Sequence, residues 1–236
     1  MTESPHAGEA HPTSLGGRLN LLRAGVLGAQ DGIVSTAGLV VGVAGAAATP
    51  TALLVAGLAG LVSGALSMAG GEYVSVSAQK DTEEAVLAKE RWELATMPAE
   101  ELAELAALYE QKGLTPDLAQ EVAVQLHAHD PLAAHAQAEL GLDPEERVSP
   151  WGAALASAVS FALGAMLPLL AITLTPVSVR VLVTGGVVVL ALVGTGYVSA
   201  TLGGAPRRRA IVRNVAMGVL AMLVTYGLGA LVGSVV

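Results

Sequence analysis

The chain has 236 residues, 53% of them hydrophobic and 14% charged, with a single phenylalanine. That balance is membrane-protein composition and excludes an ordinary soluble domain. Zero cysteines exclude disulfides, thiolate metal sites and cysteine nucleophiles.

The net charge of −8 hides a division. Residues 80–146 hold 16 acidic and 4 basic side chains, a net of −12, whereas the rest holds 4 acids and 8 bases, a net of +4. An acidic module is thus inserted into a mildly basic membrane domain, and its field repels nucleic acid and anionic lipid while concentrating cations. The chain divides into a polar tail (1–20), a first membrane segment (21–79), the acidic insert (80–147) and a second membrane segment (148–236).

The tail carries His6 and His11 but no basic region followed by a cleavable apolar core, so no signal peptide is expected. After Arg18 and Arg23, two spans are predicted near 24–48 and 52–78, meeting at Thr49-Pro50-Thr51. Each is long enough to cross a bilayer core of ~30 Å at ~1.5 Å per residue. Pro50 cannot continue the first helix, so the chain turns back there. Lone carboxylates stand just inside the outer boundaries, Asp31 on the first span and Glu72 on the second, and the hairpin is expected to bring them to similar depth. Met68 shares a helical stripe with Glu72, one turn earlier. A charge within a span costs roughly 3 kcal/mol or more and persists where it works. Beside two acids, a thioether is a plausible ligand for a transition metal such as Fe(II). The bland alternatives are interfacial carboxylates reaching water and a methionine that merely fills the core.

The second span is expected to run on as a helix to about Leu94. Pro98 opens another helix closed by Gly113, Thr115-Pro116-Asp117 starts a third, and Asp130-Pro131 a fourth, stopped at Gly141. Glu90 with Glu93, and Glu101 with Glu104, are spaced by three, which sets two carboxylates side by side on a helix. His135 and Glu139, one turn apart, would complete a mixed nitrogen and oxygen site for a divalent first-row metal. His127, His129 and Asp130 cluster at the preceding corner. A solvated acidic surface is the alternative for any one glutamate, but the pairing and the scarcity of lysine partners favour a site for the group. With about 67 residues the module needs support from the membrane domain or from a second copy.

Residues 148–179 contain no charge and hold a third span, about 151–173, with a kink expected at Pro168. A fourth is predicted near 178–202 and, after Arg207-Arg208-Arg209 and Arg213, a fifth from about 211 to 235. The fold class is therefore an all-α membrane protein: five transmembrane helices with a cytoplasmic helical metal-binding insert between the second and third. Arg18, Arg23, the insert and the 207–213 arginines fall on one side, which the positive-inside rule makes cytoplasmic. Glycines at four-residue spacing, such as Gly28 with Gly32 and Gly229 with Gly233, allow close helix approach.

The runs Asp31-Gly32-Ile33-Val34-Ser35-Thr36 and Gly64-Ala65-Leu66-Ser67-Met68-Ala69-Gly70-Gly71-Glu72-Tyr73-Val74-Ser75 resemble the first two transmembrane helices of the vacuolar iron transporter family, and the likeness extends over the insert. The resemblance implies that Asp31 and Met68 are transport residues, with Glu72 in the same motif. It also implies that Glu90, Glu93, Glu101, Glu104 and Glu139 are metal ligands. Where such proteins carry a methionine pair, this chain has His135 and Ala136, and His135 is the candidate substitute. The family further implies a homodimer that moves ferrous iron, and often manganese, out of the cytosol against protons.

The expectation is thus a bacterial-type member in an inner membrane. Its partners would be divalent metal ions, protons and lipid, with no nucleic acid and no prosthetic group; Fe(II) or Mn(II) would be cargo and regulator. A membrane-tethered ferroxidase module and a structural protein recruiting a basic partner are the rivals. No Ser-His-Asp arrangement, nucleotide loop or redox motif argues for a conventional enzyme.

Overall fold

A computed structural model describes residues 15–142 and 149–235; the tail as far as residue 14, with His6 and His11, and residues 143–148 lie outside the described part. The described residues are helical, without a strand, in the order α1 (Leu15–Gly45), α2 (Pro50–Thr96), α3 (Pro98–Gln111), α4 (Pro116–His129), α5 (Pro131–His135), a π-helical turn (Ala136–Leu140), α6 (Pro150–Leu174), α7 (Arg180–Leu202) and α8 (Arg207–Val235). Five of them, α1, α2, α6, α7 and α8, are long and apolar enough to cross a membrane. The chain forms two units, one built on Ser75–Ser149 and one of Arg18–Val74 with Pro150–Val236.

In the second of these, the membrane unit, α1 is the central helix. Ile33, Ala37 and Val41 pack with Val188 and Leu192 of α7 and Met222 of α8, while Val40 and Ala44 pack with Leu53 of α2 and Ile172 of α6. Backbone contacts make this possible. A side chain at Gly32 would run into the Phe161 carbonyl on α6, and one at Gly229 of α8 into the Gly42 carbonyl on α1. The glycine spacing read from the sequence thus serves contacts of α1 with α6 and α8. Pro168 is buried inside α6, which runs through it without a break.

The α1–α2 turn is sharp for local reasons. Ala47 takes a left-handed φ of 58°, Thr49 Oγ1 accepts the Ala52 amide at 3.2 Å, and Pro50 occupies the first helical position. With α1 and α2 antiparallel in this register, Asp31 and Met68 come to one cavity, while Glu72 lies one turn further along α2, near Arg23. The matching depth expected for Asp31 and Glu72 is therefore displaced by about a turn. The residue counts on either side of the turn are not symmetric about Pro50.

The insert unit follows its punctuation. Pro98, Pro116 and Pro131 each open a helix, and Asp130 Oδ1 caps α5 by accepting the Ala133 amide at 3.0 Å. Leu105, Ala106, Ala123 and Ala134 form its core. The expected fourth helix differs in one respect: after His135 it widens into a π-turn before Gly141, at φ 64°, ends it. Single π-turns cost hydrogen-bond geometry and recur at functional sites.

Candidate metal sites in the two units

Four elements of the insert unit deliver the ligand set. Glu90 comes from the C-terminal half of α2, Glu101 from the first turn of α3, and His135 from the end of α5; Glu139 follows on the π-turn. Glu90, Glu101 and His135 are buried, with His135 fully so. His135 Nδ1 stands 2.9 Å from Glu90 Oε1 and 3.5 Å from Glu101 Oε2. One ligand atom each from Glu90, His135 and Glu139 falls within 4.8 Å of the others.

The proximity of Glu90 and His135 is not a hydrogen bond. Glu90 Oε1 and both ring nitrogens of His135 are buried without a hydrogen-bond partner, and so is Nδ1 of His127, whose ring lies 6.0 Å from that of His135. Buried polar atoms ordinarily find partners. Two lone-pair donors about 3 Å apart have the spacing of neighbouring ligands on one ion with bonds of about 2.1 Å.

Electrostatics describes the same pocket. Burial, then the neighbouring Glu139, Glu101, Glu93 and Glu104, pushes the Glu90 carboxyl up to about 7. Burial and the acids nearby also raise Glu101 and Glu139, while burial and His127 lower His135. Every shift favours the uncharged form, as desolvation demands. A divalent cation would reverse the preference for the carboxylates and displace their protons.

The remaining sequence candidates sit around this centre. Glu93 is half-buried and bound to Lys89 Nζ at 2.8 Å, so one lysine partner does occupy the cluster's rim. Glu104 is exposed and acts on Glu101 and Glu139 through its charge. His127 is the residue that sequence reasoning left at a corner; its position eight residues before His135, across the α4–α5 turn, was the available signal. His129 is exposed.

The membrane unit holds a second arrangement. Asp31 and Met68 line a cavity of about 320 Å³ together with Ser35, Thr36, Ser67 and Phe161. Thr36 Oγ1 is buried there without a hydrogen-bond partner. This wall offers a carboxylate, a thioether and hydroxyls, a mixed set of hard and soft donors. Glu72 does not line the cavity. Its side chain is 10% exposed and lies 3.9 Å from Arg23 Nη2, so a cation of the chain's own already faces it. The sequence marks Arg23 only as a topology signal and Thr36 only as part of a motif run, and it does not mark Phe161, since a residue's facing partner on another helix leaves no trace in its own neighbourhood.

Comparison with known proteins adds an independent finding. A family profile described as the VIT family matches residues 22–230. The chain is 44% identical over 223 residues to a protein of Acanthamoeba castellanii named vacuolar iron transporter, covering 94% of this chain and 82% of that one. It is 41% identical to vacuolar iron transporter homolog 1 of Oryza sativa subsp. japonica, over 96% of this chain and 82% of the relative. It is 37% identical to vacuolar iron transporter homolog 4 of Arabidopsis thaliana, over 92% and 86%.

Proposed function

We propose, from the premise that the chain belongs to the VIT family, that it is a proton-coupled antiporter. It moves Fe(II), and also Mn(II) or related divalent transition metals, out of the cytosol. The single observation that carries this reading is the shared cavity of Asp31 and Met68 inside a bundle of apolar helices. A carboxylate in such a place has a function to justify its cost, and a thioether beside it suits a metal softer than Ca(II) or Mg(II).

The proposed sequence of events begins in the insert, which faces the cytosol by the arginine bias of the short loops. Glu90, Glu101, His135 and Glu139 take the ion and release protons as they bind it. Glu93 and Glu104 supply charge at the rim, and Glu93 joins once it leaves Lys89. The ion then reaches the mouth at Glu72, where Arg23 must yield, and passes to Asp31 and Met68. Proton and metal compete for the same carboxylates, which is the minimum requirement for exchange. The exposed apolar face of α2, with Leu54, Val55, Leu58 and Val62, supports pairing with a second copy and a pathway shared by two such hairpins.

The test is metal uptake into proteoliposomes across an imposed pH gradient, with Fe(II), Mn(II) and Ca(II) compared. Fe(II) flux driven by the gradient is expected, with little for Ca(II), and Asp31→Ala should abolish it while the protein still folds. Undiminished flux in that variant would overturn the reading. An iron-oxidising module would instead consume oxygen in the presence of Fe(II) without any gradient-driven flux.

A further inference from the structure

At the end of the membrane unit where α1 turns into α2, far along α1 from Asp31, a cavity of about 670 Å³ lies between α1, α7 and α8. Val41, Val181, Val219 and Leu223 make most of its wall apolar, and Arg180 is the charged residue in it. Arg180 is 6% exposed. Of the five N–H donors of a guanidinium, one is used, from Nη2 to the Ala48 carbonyl at 3.3 Å. Among the described residues no carboxylate pairs with it. The two acidic side chains of this unit, Asp31 and Glu72, belong to its other end, ~25 Å away by helical rise. The guanidinium is thus a buried positive charge that no carboxylate balances among the described residues; what faces it is the Ala48 carbonyl, just beyond the carboxyl end of α1.

A second observation points the same way. Helix α7 begins at Arg180, and its cap residue Val179 contributes no side-chain hydrogen bond. Val181 and Leu182 of its first turn line the cavity, and among the described residues their amides have no backbone acceptor. Free amides and the positive end of a 23-residue helix therefore add to the guanidinium. Ser178 brings a hydroxyl to the same wall.

We propose that this cavity binds an anionic phospholipid of the adjoining leaflet. The phosphate sits on Arg180, Ser178 and the first turn of α7, and an acyl chain lies along Val41, Val219 and Leu223. The recognised chemistry is a phosphate anion that carries no cation of its own, joined to an apolar tail; a choline would bring a second positive charge to a wall that already holds Arg180 and no carboxylate. A free phosphate would satisfy the cation but would leave most of this aliphatic volume without an occupant. The proposal is independent of the transport reading.

Binding to the delipidated full chain in detergent tests it, with dioctanoyl phosphatidylglycerol, dioctanoyl phosphatidylcholine and inorganic phosphate as probes. The phosphatidylglycerol is expected to bind about tenfold or more tightly than the phosphatidylcholine, and Arg180→Gln should erase that preference. Excess inorganic phosphate should not displace the lipid. Equal binding of the two lipids, or an undiminished preference in Arg180→Gln, overturns the proposal. Inorganic phosphate binding as tightly as the lipid overturns it in favour of a free-anion site. Gly185→Leu guards against misfolding of the arginine variant: Gly185 lines the cavity, and a Cβ there meets nothing within 4 Å. That variant keeps Arg180, fills the apolar arm and is expected to fold but lose the lipid; unchanged lipid binding in it counts equally against the site.

Discussion

Glu90 Oε1 and His135 Nδ1 stand 2.9 Å apart in the insert, both buried, and no hydrogen bond joins them. Such an arrangement is costly in a metal-free protein, because each buried polar atom without a partner sacrifices roughly 1–3 kcal/mol. It is favourable once a cation lies between them.

Replacing either member should therefore separate metal binding from folding. Glu90→Gln and His135→Ala are each expected to weaken Mn(II) binding to the metal-free protein by about tenfold or more, since one charged or nitrogen ligand is lost. Thermal stability without metal should hold or rise for Glu90→Gln, because a neutral amide relieves the crowd of carboxylates. Calorimetric titration and thermal unfolding, run on the same samples, check both halves. Unaltered affinity in the two variants would remove this pair from the site.

The raised Glu90 carboxyl sets a pH dependence whose sign is fixed. Its ordinary value is 4.5 and its folded value about 7, so between these the folded state holds a proton that the unfolded state has lost. The stability this gives the metal-free protein is fully present below pH 4.5 and is lost as pH rises through about 7. The loss is shared with the carboxylates that crowd Glu90 and amounts to a few kcal/mol at most, on the order of 1–3. Glu101 and Glu139 act in the same sense, while His135, lowered from 6.5, acts oppositely as pH falls. Metal affinity should climb over the same rise in pH. Unfolding in chelator at several pH values, beside metal titrations at each, measures both trends; a flat affinity between pH 5 and pH 8 would contradict them.

Met68 is expected to act on selectivity more than on throughput. Met68→Leu keeps the volume of the cavity wall but removes the soft donor. Flux of Fe(II) should fall several-fold relative to Mn(II) in proteoliposomes, with expression and oligomeric state unchanged. An unaltered ratio would make Met68 a wall residue only.

Two glycines predict opposite outcomes for one change. Gly32→Ala drives a methyl into the Phe161 carbonyl where α1 crosses α6, whereas a Cβ at Gly70 meets nothing within 4 Å. The first should cost about 1–3 kcal/mol or leave little monodisperse protein, and the second should be tolerated. Size-exclusion profiles and thermal unfolding in detergent distinguish them.

How much of this was legible beforehand follows from the range of each interaction. Hydropathy and prolines are local, and they place the spans, the turn at Thr49-Pro50-Thr51 and the openings of α3, α4 and α5 to within a few residues. Spacing on one helix is local too, which is why Glu90 and Glu93, Glu101 and Glu104, and His135 and Glu139 were found as pairs. Register between helices is not local. Only the packing of α1 against α2 put Met68, rather than Glu72, in a cavity with Asp31 and set Arg23 before Glu72. Only the packing of the insert brought Glu90, from one helix, to His135, from another, and turned the helix after His135 into a π-turn that carries Glu139. Composition and period thus determined five helices long and apolar enough to cross a membrane, with an acidic helical module between the second and third. Tertiary structure decided which ligands meet, because side chains far apart in sequence become neighbours through volumes and backbone approaches that no single segment encodes.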